Sequence, residues 1–493
     1  MNTMAAKTSN FQQTVKTWGV ASKAIAKKTW IDAFHLNKPT YEREMISFGA
    51  WTRQNLIELG PTYIKLGQIA SARTDIFSEE FTRELSKLQD ECPPIQDTDI
   101  VKIVEKELNV TSLDEVFLSF DKEPYKAASI GQVHCGVLKN GNKVVVKVQR
   151  PRIKEIVLDD LKTVRSISNL LSLFRISQEG DSDLFEQCEE YLMQEVDYER
   201  EANNAKLMRK NLFEDEQVII PRVCTKLSTK SIMVMERVDG VKITEIKREK
   251  NKQQAIDTLV RCFVSQFLDY GVIHGDPHPG NVAYRKGDII LYDFGLVIDV
   301  SSVVRDSFDD VITSIIQKDA KRLTDILTKA KLIIPNSSKA NITYFFDAVF
   351  NMAAKQMDGD FDFEESVELL EDLGYSDSTR PFTISNDLIY LAKSYTLVEG
   401  ICKTLDPDYM PIETLRPYVE SKITSSDISS NINFEGAMTD ILEIPAKVRN
   451  INASILTIEK STYSMTAKTK NLKEDVRNLQ IIVGMFMFYI LQH

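Results

Sequence analysis

Apolar positions recur at helical spacing through the first hundred residues, switch to strand spacing near residue 115, and return to helical spacing for most of the remainder. Residues 11–31 and 41–59 read as amphipathic helices separated by Asn37-Lys38-Pro39, and Ile46, Ala50 and Ile57 share one stripe of the second. Gly60-Pro61 closes that helix, because a residue before proline is pushed out of helical space and proline suits a first turn. Helical patterning resumes over 63–73, over 78–90, stopping before Pro93-Pro94, and over 97–108. Val116, Leu118 and Phe120 then alternate with polar neighbours, 133–138 alternates again, Asn140-Gly141 is a hairpin turn, and 142–149 returns as a strand. Between the first two strands, Ala127-Ala128-Ser129-Ile130-Gly131-Gln132 reads as a loop.

Long helical stretches follow at 152–176 and 183–212, strands at 218–223 and 231–240, a helix at 252–270 and a short strand at 289–291. Helices are expected at 303–317, 319–330, 338–356, 364–373 and 385–401, with a break at Asp406-Pro407-Asp408 and Pro411 before 415–419. A polar linker at 425–433 precedes terminal helices at 436–460 and 467–491. The pattern is that of an α+β chain in four parts: a helical extension (1–114), a sheet-bearing lobe with inserted helices (115–240), a helical lobe (241–424) and C-terminal helices (425–493).

Composition narrows the class. A chain of 493 residues is too long for one small core, and 43% hydrophobic with 27% charged residues argues a folded protein. Its 61 basic against 72 acidic residues leave a formal charge of -11, so no nucleic-acid partner is expected. Cysteines 92, 135, 188, 224, 262 and 402 lie far apart, without C-x-x-C or histidine at ligand spacing, which fits a reducing compartment. Lys7, Lys16, Lys23, Lys27 and Lys28 precede the first acid, Asp32. That segment reads either as a surface helix or as a basic amphipathic or targeting segment, and it lacks the apolar run of a secretory signal. Residues 481–491 are apolar and would span roughly 16 Å as helix, about half a hydrocarbon core, enough for a membrane-dipping or partner-packing tail.

Candidate chemistry lies in His274-Gly275-Asp276-Pro277-His278-Pro279-Gly280-Asn281 and, a hairpin later, Asp293-Phe294-Gly295. An Asp and an Asn five apart on one loop, with Asp-Phe-Gly on the next, have the spacing of two kinase-like loops. Asn281 and Asp293 offer hard oxygens to Mg²⁺ beside a triphosphate, and Asp276 is placed to orient an attacking hydroxyl or water. His274 is expected to be structural; His278 stands where such loops usually carry a lysine. Lys147 ends Val144-Val145-Val146 and is either a snorkelling surface lysine or a phosphate-gripping one, with the acidic loops favouring the second. On 183–212, Glu195 with Glu199 and Asp197 with Glu201 are four apart, so each pair would share a face, and Glu201, followed by Ala202, Ala205 and Leu207 as packing positions, is the better partner for Lys147. Backbone amides of 129–132 could cover phosphates, and the chain at Met235, Glu236 and Val238 could meet a base edge. Lys65, Gln68 and Arg73 are polar for their surroundings and read equally as surface side chains.

Taken together and in this order, these motifs resemble the UbiB-like, or aarF-domain, atypical protein-kinase-like family associated with ubiquinone and plastoquinone metabolism, over roughly 40–420. Lys65-Leu66-Gly67-Gln68 is similar to its K-x-G-Q signature, the run from Ala127 and Ala128 to its alanine-rich loop, and Glu195-Val196-Asp197 to its E-x-D pair, with Glu201 at the helix-C glutamate. The resemblance implies a bilobal kinase-like fold with a small antiparallel-sheet N-lobe, a helical C-lobe and a helical N-terminal extension. It implies ATP or ADP with Mg²⁺, ATP hydrolysis more than protein phosphorylation, and a K-x-G-Q segment over the active site with Lys65 and Gln68 facing Glu195 and Asp197. Membrane lipid or quinone-biosynthesis proteins are the implied partners, a homodimer is left open, and peripheral attachment in a mitochondrion, plastid or bacterial inner-membrane face is the implied location. A protein or small-molecule kinase and a nucleotide-binding scaffold are the alternatives. Two departures stand out: Lys126 shortens the alanine run, and no Ala-Pro-Glu follows Asp293.

Overall fold

The computed structural model describes residues 2–35, 40–71, 77–89, 100–127, 129–173, 189–190, 192–335, 337–357, 382–384 and 386–409. The expectations placed on Arg73, Pro93-Pro94, Ala128, Cys92, Cys188, the helix at 364–373, residues 415–419, the 425–433 linker, the terminal helices and the 481–491 tail lie outside the described residues.

In chain order the elements are α1 (Asn2–His35), α2 (Tyr41–Leu59), α3 (Pro61–Ser71), α4 (Glu79–Ser86), α5 (Ile100–Leu108), β1 (Phe117–Phe120), β2 (Lys126–Ala127), β3 (Gly131–Leu138), β4 (Lys143–Gln149), α6 (Ile153–Leu173) and α7 (Tyr198–Asn211). There follow β5 (Val218–Ile219), β6 (Ile232–Glu236), β7 (Val241–Lys242), α8 (Glu249–Ser265), β8 (Val272–His274), β9 (Val282–Arg285), β10 (Asp288–Leu291) and β11 (Val297–Asp299). The last are α9 (Ser302–Asp306), α10 (Phe308–Ile316), α11 (Ala320–Lys329), β12 (Ile333–Pro335), α12 (Lys339–Met357), β13 (Phe382–Ile384) and α13 (Asn386–Leu405). A helical extension, an antiparallel-sheet region and a helix-rich region in that order make the α+β layout of a bilobal, protein-kinase-like chain. Two compact units divide the described residues: one holds the chain to Ala202 with Val223–Arg237, the other Asn203–Arg222 with the chain from Val238 to Tyr409.

In the first unit the sheet runs β1-β3-β4-β6 with β2 on β3, all antiparallel. Strand alternation buries Val144, Val146 and Val148 in a core with Ile232, Val234, Phe117 and Ile100. The sheet begins out of phase with the expected alternation: Phe117 is 2% exposed and Leu118 58%. A register shift between Phe117 and Ser119 accounts for it, since one extra residue exchanges the two faces. The expected 127–132 loop is shorter too. Ala127 closes β2, and Gly131 and Gln132 open β3 in register with Gln149 and Val148.

The extension has its own core of Ile31, Met45, Phe48, Ile64, Phe81, Leu85 and Leu88. On α2 the buried face is Met45, Phe48 and Gly49, one step round from the expected stripe. Gly67 sits where a Cβ would come within 2.5 Å of Leu88 Cδ1 and 2.7 Å of Leu56 Cδ1, so only glycine lets α3 approach this closely. Polar contacts tie α3 to α1 and α6: the Thr62 hydroxyl donates to Asp160 Oδ2 at 2.6 Å, and the Thr17 hydroxyl to the Tyr63 oxygen at 2.9 Å.

In the second unit β5-β10-β9-β7 form a four-stranded sheet, and β8 pairs with β11 in a two-stranded ribbon. The helix expected at 252–270 widens into a π-turn at Gln266–Tyr270 and ends on Gly271, whose φ of 64° suits glycine. The helix expected at 303–317 breaks at Ser307 into α9 and α10, and Asp319 caps α11 by accepting from the Arg322 amide at 2.9 Å. The β12–β13 pair joins segments too short for periodicity to reveal.

Candidate active site

In the first unit, the face of β4 opposite Val146 carries Lys147. Its Nζ lies 2.8 Å from each carboxylate oxygen of Glu201, with the two side chains 12% and 3% exposed, and 5.0 Å from the centroid of the Tyr198 ring. The pair is a desolvated, bidentate clamp rather than a snorkelling surface contact. Ala202 and Ala205 are buried as expected, but Leu207 is 41% exposed and Met208, one residue on, is the buried position instead.

The helical stretch expected over 183–212 breaks at Val196-Asp197, and Asp197 causes the break. Its Oδ1 accepts from the amides of Glu199 and Arg200, both at 3.1 Å, which is an N-cap for α7. Glu195 and Glu199 therefore share no helix face; Glu195 instead pairs with Lys65, the two being 15% and 11% exposed. Gln68 faces neither acid. Its Nε2 donates to the Leu88 carbonyl at 2.9 Å, because Gly67 draws Leu88 against α3. Leu66 and Ile69 pack on the core of Ile130, Ile153, Leu192, Val196, Tyr198, Met233 and Met235, so the K-x-G-Q helix is fastened to the sheet-bearing part of this unit.

Ser129 and Ile130 are buried, and a Cβ on Gly131 would collide with the Tyr198 hydroxyl and come 2.6 Å from Val148 O. Lys126 is exposed on β2. The Arg237 amide donates to Lys143 O at 3.0 Å, and strand alternation turns the backbone groups of Glu236 to the opposite edge. Met235 is buried.

In the second unit, His274 joins the two loops. Its buried ring donates from Nε2 to Tyr292 O at 3.0 Å and accepts at Nδ1 from the Asp276 amide at 3.2 Å, which fixes the tautomer. The Gly275 amide reaches Leu296 O at 2.9 Å and the Tyr292 amide reaches Asn281 O at 2.8 Å, so the loops carrying Asp276 and Asn281 lie against Asp293. Asn281 Nδ2 donates to Asp276 O at 3.1 Å, which leaves Oδ1 as the acceptor end of its side chain. Asp293 has φ of 55°, a left-handed conformation rare outside glycine, and its Oδ1 accepts from the Gly295 amide at 3.2 Å. Phe294 is fully buried with its ring 5.5 Å from His274, and its carbonyl accepts from Asn204 Nδ2 at 2.9 Å. The Tyr292 hydroxyl donates to Val238 O at 2.6 Å. An amide oxygen and a carboxylate side by side are the hard-oxygen donors Mg²⁺ takes, so the residues fit that ion.

Two further contacts had no signal in the sequence. His278 Nδ1 accepts from the Gly280 amide at 3.0 Å, turning that nitrogen into its own loop. Lys393, on α13, places Nζ 3.3 Å from Asp276 Oδ1, the side chains being 23% and 22% exposed. Burial pushes the thiols of Cys262 and Cys402 up to about 12, which removes both as nucleophiles.

The order of elements and the sheet topology are those of a kinase-like fold. The model of the ABC1 atypical kinase-like domain matches residues 87–327. A chloroplastic protein of Arabidopsis thaliana called activity of bc1 complex kinase 7 is 28% identical, covering 98% of this chain and 72% of its own length. An uncharacterized protein encoded in the hydrogenase 1 5′ region of Clostridium pasteurianum is 30% identical, covering 89% of this chain and 84% of its own length. The Rv3197–erythromycin complex of Mycobacterium tuberculosis is similar at 23% identity, over 69% of this chain and 87% of that one, with a TM-score of 0.48. The chain belongs to the ABC1 atypical kinase-like, UbiB/aarF family.

Proposed function

We propose that this protein is a Mg²⁺-dependent, ATP-binding atypical kinase-like ATPase that supports isoprenoid-quinone or other membrane-lipid metabolism. The observation that carries the reading is the clasp at His274, which packs Asp276, Asn281 and Asp293 into one cluster with a defined donor set. Lys147, held by Glu201, is assigned to the α- and β-phosphates, and the turn from Ala127 and Ala128 through Gln132 to their backbone cover. Met235, Glu236 and Val238 are assigned to the base edge. Asn281 Oδ1 and the Asp293 carboxylate would hold Mg²⁺, whose chemistry is to neutralise phosphate charge.

Asp276 orients a water in line with the γ-phosphorus. As the water oxygen bonds to phosphorus, the bond to the β–γ bridging oxygen breaks, ADP leaves with that oxygen, and the water's proton passes to Asp276 and then to phosphate or solvent. Lys65, paired with Glu195, acts as a regulatory contact together with Gly67, Gln68 and Asp197. That pairing supports hydrolysis over transfer to a peptide, because the segment is fastened down by buried contacts.

A lipid or quinone-biosynthesis partner and peripheral membrane attachment follow the family resemblance. Among the described residues no helix is long and apolar enough to cross a membrane. The test is phosphate release from MgATP, with and without lipid vesicles or a quinone-headgroup mimic, using Asp276→Asn as the blank. Release that depends on Asp276 and rises with vesicles or mimic supports the reading. Equal release by wild type and blank overturns it, and stoichiometric transfer of γ-phosphate to a separate acceptor replaces it with a kinase.

A further inference from the structure

Kinase-like loops usually carry a lysine two residues after the catalytic aspartate, and His278 stands there in this chain. The histidine does not stand in for it through Nδ1, since that nitrogen accepts from the Gly280 amide. A cation nevertheless reaches Asp276, from a helix far along the chain: Lys393 Nζ lies 3.3 Å from Asp276 Oδ1. We infer that Lys393 is the positioning residue for Asp276, supplying from α13 the positive charge that the loop itself lacks.

Three features raise this above a chance surface pair. Both side chains are mostly buried, at 23% and 22% exposure, so the contact is less screened than an exposed one. Helix α13 is firmly seated: Ser394, Val398, Ile401, Cys402 and Leu405 are buried, and the Tyr395 ring lies 6.4 Å from Phe263 on α8. The Asp276 backbone is fixed as well, by the His274 ring at its amide and by Asn281 Nδ2 at its carbonyl. Those bonds act on the backbone, whereas an ammonium on Oδ1 acts on the side-chain torsion. A carboxylate held at one oxygen presents a defined acceptor to the attacking water, which is the orientation role assigned to Asp276.

This inference rests on the phosphate-releasing reading above, and its test separates the two. Phosphate release from MgATP is measured at varied nucleotide concentration for wild type, Lys393→Met, Lys393→Arg and Asp276→Asn, with MgADP thermal shift run alongside. Lys393→Met is expected to lower kcat about 10- to 100-fold, the size of effect usual for a partner that orients a reacting group, with KM within about twofold of wild type. MgADP stabilisation should be unchanged, and Lys393→Arg should restore most of kcat. Wild-type kcat in Lys393→Met, with Asp276→Asn inactive, overturns the inference and leaves the reading standing. So does an equal loss in Met and Arg variants accompanied by lost MgADP stabilisation, which marks a merely structural lysine. Asp276→Asn as active as wild type overturns the reading, and this inference with it.

Discussion

Asp160→Asn tests how the K-x-G-Q helix is held. Asp160 is 4% exposed, and its described partners, Thr62, Tyr63 and Gln13, are all neutral. Burial pushes its carboxyl up to about 6 from an ordinary 3.8, and the hydrogen bonds from those partners pull the other way without cancelling it. A carboxyl with a raised folded value binds its proton more tightly in the folded state. Its contribution therefore favours the fold below the unfolded value and is lost as pH rises through about 6. The whole span is worth about 3 kcal/mol, of which about half falls between about pH 5 and about pH 8. Asparagine keeps an acceptor for Thr62 and removes the titration. Trp18, Trp30 and Trp51 are the chain's three tryptophans, so their fluorescence during urea unfolding follows α1 and α2 specifically. From about pH 5 to about pH 8, Asp160→Asn should gain on the order of 1 kcal/mol relative to wild type. Parallel pH dependences in the two proteins would refute the reasoning.

Lys147→Ala strands Glu201 at 3% side-chain exposure, and urea unfolding should register a loss of about 3–5 kcal/mol, largely recovered by adding Glu201→Gln. Asp293→Asn retains a residue tolerant of the left-handed backbone, so melting without ligand should stay near wild type while the Mg²⁺-dependent stabilisation by ATP disappears. Gly67→Ala forces a methyl against Leu56 and Leu88 and should cost about 1–3 kcal/mol by tryptophan-monitored unfolding. Lys65→Ala should change nucleotide preference or autophosphorylation; unchanged values for both would count against a regulatory Lys65–Glu195 contact.

The sequence was most legible where the determining interactions are local. Asp276, Asn281 and Asp293 announce themselves by spacing, and Asn140-Gly141 by turn chemistry, because neighbours in the chain fix those conformations. The alternation of Val116, Leu118 and Phe120 misses the buried Phe117 and the exposed Leu118, because a register shift resets the alternation without changing composition. The break at Asp197 was hidden in the same way: a capping aspartate inside a polar helical run looks like any other surface acid. Gln68 and Lys393 were beyond reach for a different reason. Their partners, the Leu88 carbonyl and the Asp276 carboxylate, are brought to them by tertiary packing that no local pattern encodes.

The cap at Asp197 also sets the timing of everything downstream on its helix. Glu201 follows it by one turn, so the angle at which that glutamate emerges toward Lys147 is dialled by where the cap starts the winding. Two residues upstream of the cap, Glu195 pairs with Lys65. Two acids of one triplet thus govern different contacts: damage at Asp197 should loosen the Lys147–Glu201 pair, whereas damage at Glu195 should release Lys65 on the K-x-G-Q helix and leave that pair intact.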